Sequence, residues 1–254
     1  MTSEQDKAAL KQAVIATRDY WHPFHEGLLE MSPDYLQAYL DFQDAPARSG
    51  LLEPKVQEFI YIAADGAVSH LYASGLARHI EMAMGKGASR DEVLEVIMLT
   101  MLTAHSSHDL GLPILVEEMR AAGIGGAVLE RELAAEEQKI REDHIAATGH
   151  WPACGDALLR LAPEFVKGFL AYEAIPYGTG PLAPKIKDFI RIAVCASPTN
   201  LDGAALRLHI RSALKNGASG EEIAEVLQLT SAIAIHTCTA SIPALVAAST
   251  KLGK

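Results

Sequence analysis

Residues 76–89 read LARHIEMAMGKGAS, and residues 206–219 read LRLHIRSALKNGAS. The offset is 209 − 79 = 130 residues, and a His, a Gly, an Ala and a Ser keep matching places while charge and size change around them. Without a gap the same offset pairs Trp21 with Trp151, SPDY (32–35) with APEF (162–165), and LEPKVQEFIYIA (52–63) with LAPKIKDFIRIA (182–193). It goes on to pair DEVLEVIMLT (91–100) with EEIAEVLQLT (221–230), and Pro113 with Pro243. A shift held over such a length marks an internal duplication. The chain is therefore expected to be two copies of one unit, residues 1–127 and 128–254. The second copy opens on the charged helical stretch VLERELAAEEQKIREDH (128–144), which stands where the first has its own N-terminal helix.

Each copy reads as all-helical. Val93, Val96, Ile97, Thr100, Met101 and Ala104 recur at three and four, and no alternating strand pattern competes. Pro54 and Pro184 suit first helical positions, where a missing N–H costs nothing. Gly87 and Gly217 are expected to stop a helix in left-handed backbone. Ser89 with Glu92, and Ser219 with Glu222, then have the spacing of capping boxes. GIGG (123–126) has no strand before it, as a phosphate loop would need, and is expected to be another helix stop. The fold class expected is all-α, two tandem helical units.

The net charge is −10 and unevenly placed: residues 1–127 carry 9 Lys/Arg against 18 Asp/Glu, or −9, leaving −1 for the rest. An acidic chain without a basic stripe is a poor binder of phosphate backbones, so no nucleic-acid partner is expected. MTSEQDKAALKQ at the start lacks the apolar core of a signal peptide, and no stretch approaches the uninterrupted apolar length a membrane helix needs, so no membrane partner is expected. Three cysteines, Cys154, Cys195 and Cys238, form no CxxC pair. A disulfide framework is not expected, and a reducing cytoplasm fits.

Capping and turn chemistry leave some repeated residues unexplained. His79 and His209 lie between Leu and Ile on a helix whose other positions are small, which suits either a core histidine bonded to a carbonyl or a working group. Lys55 and Lys185 follow a proline in a first helical turn, where the dipole favours Asp or Glu. Each is either paired with a neighbour or a point charge for a substrate carboxylate. The first copy also holds His22, His25, His70, His105 and His108, opposite Pro152, Gly155, Asn200, Ile235 and Cys238. His105 and His108 continue the stripe begun at Val93. With His79, His70 and Glu58 they are expected to line one polar pocket, as an acid–base cluster or as metal ligands. HxxH alone assigns no metal.

The run LAPKIKDFIRIAVCAS…LRLHIRSALKNGASGEEIAEVL resembles the carboxymuconolactone decarboxylase family, within the AhpD-like superfamily. The resemblance covers both halves through K-x-x-x-F-I-x-I-A, then the histidine of HI…A…GAS, then E-x-x-E-V. It implies an all-α fold, homo-oligomers, and cofactor-free decarboxylation of a lactone acid in the namesake branch, with His79 and His209 as the matching histidines. The peroxidase branch carries CxxC, and those positions here are Tyr72 and Gly75, then Asp202 and Ala205. Thiol-based peroxide reduction by that route is therefore excluded. After E-x-x-E-V the chain has LTMLTAHSSHD, which departs from the namesake branch and leaves the substrate open.

A decarboxylase without a cofactor needs a substrate with its own electron sink, and a protein that holds the carboxylate, stabilises an enolate-like intermediate and delivers a proton. The expected catalytic residues are His79, His105, His108 and Glu58, with Lys55, His70 and Tyr72 binding the substrate. No metal or cofactor is assigned. The first copy is expected to be active and the second chiefly scaffold, its polar inventory being thin. The same tools suit a related lyase, isomerase or hydrolase, and the bland second copy suits a non-catalytic assembly or binding subunit. Convergence of the first-copy histidines on one enclosed pocket would separate these readings.

Overall fold

A computed structural model describes residues 4–18, 20–148, 150–152 and 154–253, with backbone alone for residues 17, 18, 47 and 104–106. In the first copy run α1 (Glu4–Arg18), α2 (Pro23–Met31), α3 (Pro33–Ser49), α4 (Pro54–Gly66), α5 (Ala73–Gly85), α6 (Arg90–Met101) and α7 (His105–Ala121), followed by the short α8 (Gly126–Leu129). The second adds α9 (Ala135–Thr148), α10 (Gly155–Leu161), α11 (Pro163–Gly178), α12 (Pro184–Ala196), α13 (Gly203–Lys215), α14 (Gly220–Ser231) and α15 (His236–Leu252). No strand occurs among the described residues. The duplication is exact in three helices: α4, α5 and α6 become α12, α13 and α14 on adding 130 to both ends.

Local chemistry sets these boundaries. Pro54 and Pro184 open α4 and α12. Ser89 and Ser219 each accept from the backbone N–H three residues on, while Glu92 and Glu222 reach back to the cap N–H. Gly87 and Gly217 take φ of +90° and +84°, and Gly123 and Gly125 are also left-handed, so GIGG is a helix stop.

One core spans both copies. Phe59 and Ile60 of α4 meet Phe189 and Ile190 of α12 in a single cluster, all four shut off from solvent. Each such side chain contributes about 1.5–3 kcal/mol by leaving water. Buried polar pairs cross the same junction: Lys187 to Glu95 at 2.7 Å, and Gln57 to Glu225 at 3.0 Å. The outer helices cross over as well. First-copy α2 packs on α15 and α3 on α14, while second-copy α10 and α11 pack on α7 and α6. Each copy's N-terminal helices thus cover the other copy's later ones. A matching tether holds each entry: Trp21 and Lys11 both donate to Glu26, and Trp151 and Arg141 both donate to Asp156.

The continuous helical run Gly220–Leu252 is, by length and composition, apolar enough to cross a membrane. Scattered Ser, Thr and His hide this from a scan for unbroken apolar stretches. Here its first half belongs to the core, and α2 covers one side of the second.

Candidate active site

A cavity of about 450 Å³ opens where the two copies meet. Its floor comes from α4, where Glu58, Tyr61 and Asp65 fall on one face at helical spacing. One wall is α5, with Gly75, Arg78, His79 and Met82, and Lys86 just past its end. Tyr20, His22, Tyr39 and Gln43 close it from the segment between α1 and α2 and from α3. The last wall belongs to the second copy: Leu229, Ile233, His236 and Thr239.

At its centre the buried Glu58 is held from two sides, by an imidazole and an ammonium. Its Oε2 lies 2.6 Å from His79 Nδ1, and its Oε1 accepts from Lys86 Nζ at 2.5 Å. Burial pushes this carboxyl up, but the bonds and charges of His79 and then Lys86 outweigh it and hold Glu58 below the usual range. With Nδ1 committed to the carboxylate, Nε2 is the ring atom left for a substrate. Tyr61 stacks on the imidazole at 4.6 Å between centroids and sets its plane. Arg78 lines the same cavity, held over the Tyr20 ring at 5.5 Å.

A second polar group lies beside it. His70 Nε2 and His236 Nδ1 face each other at 2.8 Å, and His236 Nδ1 lies 3.8 Å from Asp65 Oδ1. Tyr72 stacks on His236 at 3.9 Å and donates to Thr239 Oγ1 at 3.0 Å. Burial pushes Asp65 up to about 7, with the charge of His79 opposing it. Burial also lowers His70, and with the nearby His70 and His79 it brings His236 down to about 4.

Glu58, His79 and Tyr72 therefore come together as expected, and His70 joins them through His236. Lys55 does not line the cavity. Its ammonium sits on Glu92 at 2.7 Å, because the starts of α4 and α6 lie side by side and the capping carboxylate takes the lysine too. Lys185 and Glu222 repeat this at 2.9 Å. The lysine on Glu58 is Lys86 instead. His108 is also misplaced by the stripe argument. The 3₁₀ turn Leu102–Ala104 ends α6 and resets the helical phase, and the His108 ring packs on Phe165 of the second copy. The side chain of His105 lies outside the described residues. Asp65, Lys86, Arg78 and His236 were not picked from sequence. All four differ between copies (Asp65/Cys195, Arg78/Leu208, Lys86/Asn216, Ser106/His236), which is the signal that marked the other first-copy residues.

The matching place in the second copy is filled. His209 Nδ1 lies 3.5 Å from Asp188, Arg191 Nε donates to His209 Nε2 at 3.4 Å, and Arg191 Nη1 donates to the Leu99 carbonyl at 2.9 Å. Burial lowers the histidine. The ring atom left for a substrate in the first copy is occupied in the second.

The carboxymuconolactone decarboxylase family model matches residues 33–108 and again 163–248. A crystal structure from Burkholderia xenovorans LB400, described as a "putative gamma-carboxymuconolactone decarboxylase subunit", is 34% identical. The match covers 97% of this chain and 98% of that one, with a TM-score of 0.90. No curated protein sequence matches the chain.

Proposed function

Because the chain belongs to the carboxymuconolactone decarboxylase family, we propose that it is a decarboxylase-like lyase acting on a small unsaturated oxo-acid or lactone carboxylate. The observation that carries this is the Glu58–His79 pair at 2.6 Å lining a half-open, partly apolar cavity. A buried carboxylate holding Nδ1 fixes the orientation of the imidazole and presents Nε2 to hand a proton to the carbon that loses CO₂. Arg78 supplies a cation for the substrate carboxylate, and Tyr20 a hydroxyl for the developing oxyanion. The same tools suit an isomerase or hydrolase on such metabolites. A pure assembly subunit would gain nothing from a carboxylate–imidazole pair facing a cavity, and the pair supports the enzymatic reading. Association of several copies belongs to this reading too, supported by the exposed apolar Leu110, Ile114 and Leu245 on α7 and α15.

The test is a screen of unsaturated oxo-acids and lactone carboxylates for CO₂ release, run on wild type and His79→Ala together. CO₂ release from one compound class, lost in the variant, supports the proposal. Turnover equal in both would overturn it.

A further inference from the structure

We propose that Asp65, His70 and His236 form a binding site for a divalent transition-metal ion of the zinc, cobalt and iron(II) class, closed only when the second copy brings His236 against the first. This goes beyond the acid–base role of Glu58 and His79 and does not depend on it.

The donor set carries the argument. One ligand atom from each of the three residues lies within 4.8 Å of the others. The separations of 2.8 Å (His70 Nε2 to His236 Nδ1) and 3.8 Å (His236 Nδ1 to Asp65 Oδ1) bracket the roughly 3.3 Å expected between two ligands about 2 Å from a tetrahedral ion. Two imidazoles and one carboxylate suit borderline transition ions better than calcium or magnesium, which prefer oxygen. Three protein ligands also leave a position for water or a substrate oxygen, and Asp65 and His236 both line the cavity.

Asp65 supplies the independent observation. It is fully buried, and neither carboxylate oxygen accepts a hydrogen bond. A buried carboxylate without donors is costly, and a coordinated cation is one of the few partners that compensates it.

The backbone around the cluster is specialised as well. Leu71 takes a φ of +45°, the left-handed region a leucine avoids, and the turn closes with the Tyr72 N–H donating to the Asp65 carbonyl at 2.9 Å. That turn swings His70 back toward Asp65. Leu201 repeats the strained turn in the second copy at +50°, so the turn itself belongs to the fold. What the second copy lacks is the ligands: Cys195, Asn200 and, for His236, Ser106 of the first copy stand at the matching places. There Asn200 Nδ2 merely donates to the Val194 carbonyl. The glycine beside the cluster changes too. A methyl group on Gly75 would stand 2.2 Å from Asp65 Oδ2, whereas the second copy pairs Ala205 with Cys195.

The experiment uses the full-length, tag-free chain, stripped with a chelator and titrated with Co²⁺, read by its d–d absorption and by calorimetry. The same titration is run on His236→Ala, Asp65→Asn and His108→Ala, with circular dichroism to confirm the fold. One Co²⁺ per chain, displaced by Zn²⁺, is expected in wild type and in His108→Ala. Binding about a hundredfold weaker or lost is expected in His236→Ala and Asp65→Asn. Absence of binding in folded wild type, or equal affinity in all four proteins, would overturn the site and leave a direct imidazole–imidazole hydrogen bond between His70 and His236. Asp65→Asn is isosteric, so it keeps the test decisive if His236→Ala fails to fold. Because the readout needs no substrate, its failure is distinct from failure of the Glu58–His79 proposal.

Discussion

Tyr61 and Arg191 stand at the same place in the two copies and treat the histidine beside them in opposite ways. Tyr61 stacks on His79 and leaves Nε2 to the cavity, whereas Arg191 donates to His209 Nε2 and to the Leu99 carbonyl across the junction. One side chain thus converts a repeated histidine from one that faces the cavity into a tie between copies. The backbone scaffold under both is the same, so the asymmetry is chemical.

Matched substitutions test this asymmetry. His79→Ala is expected to lower turnover by about 10²–10⁴-fold with the melting curve nearly unchanged. His209→Ala should keep turnover and lose about 1–3 kcal/mol of stability, because it leaves a buried guanidinium and Asp188 without their imidazole. Equal losses of activity would mean two equivalent sites. Steady-state kinetics and thermal melts on both variants decide it.

The two lysines should also separate. Lys55→Met removes a partly exposed ion pair with Glu92, worth about 0–1 kcal/mol, and is expected to leave kcat and KM unchanged. Lys86→Met removes the ammonium from Glu58 and is expected to lower kcat and shift the pH profile. A raised KM in Lys55→Met would return that residue to the substrate.

These lysines also show what the sequence made legible. Whatever was local was readable: the duplication, the prolines opening α4 and α12, the left-handed glycines and both capping boxes each need only a few consecutive residues. That Glu58 and His79 share one pocket was readable too, because α4 and α5 are neighbours in the chain, whereas their direct pairing was not. Lys55 was misassigned because the packing of α6 beside α4 hands it to Glu92, a contact 37 residues distant. His236 was missed for a similar reason. It reaches His70 across 166 residues, through the crossing of the copies, and a lone histidine at the start of α15 has no periodic pattern to mark it. His108 failed on phase, because the three-residue 3₁₀ turn rotates the helix after it.

Stability in acid should depend on Glu58. Its folded carboxyl titrates below the ordinary 4.5, so its contribution is fully present above that value and is lost as pH falls through the lower folded value. Glu58→Gln should therefore cost about 1–3 kcal/mol at pH 7, and the gap from wild type should close as pH falls below 4.5. Urea melts between pH 3 and 8, compared at each pH, measure the gap. A gap that widens in acid would reverse the sign and remove His79 and Lys86 as the groups holding the carboxylate charged.

Gly75→Ala is the most economical probe of the cluster around Asp65. The added methyl would meet Asp65 Oδ2 at 2.2 Å and Tyr72 Cδ1 at 2.5 Å, both closer than real carbon contacts. Neither neighbour has room to yield freely, since Asp65 is fully buried and Tyr72 is held by His236 and Thr239. Strain of about 1–3 kcal/mol is therefore expected, together with a displaced carboxylate. Helix propensity works the other way, as alanine is favoured over glycine inside a helix by about 1 kcal/mol. The net loss of stability should then be small while the function of the cluster suffers: weaker Co²⁺ binding and lower turnover in a protein that melts near wild type. The corresponding Ala205→Gly in the second copy, where Cys195 stands in place of the aspartate, is expected to leave Co²⁺ affinity unchanged. Wild-type Co²⁺ affinity and turnover in Gly75→Ala would show that the close approach of Gly75 to Asp65 has no bearing on the site.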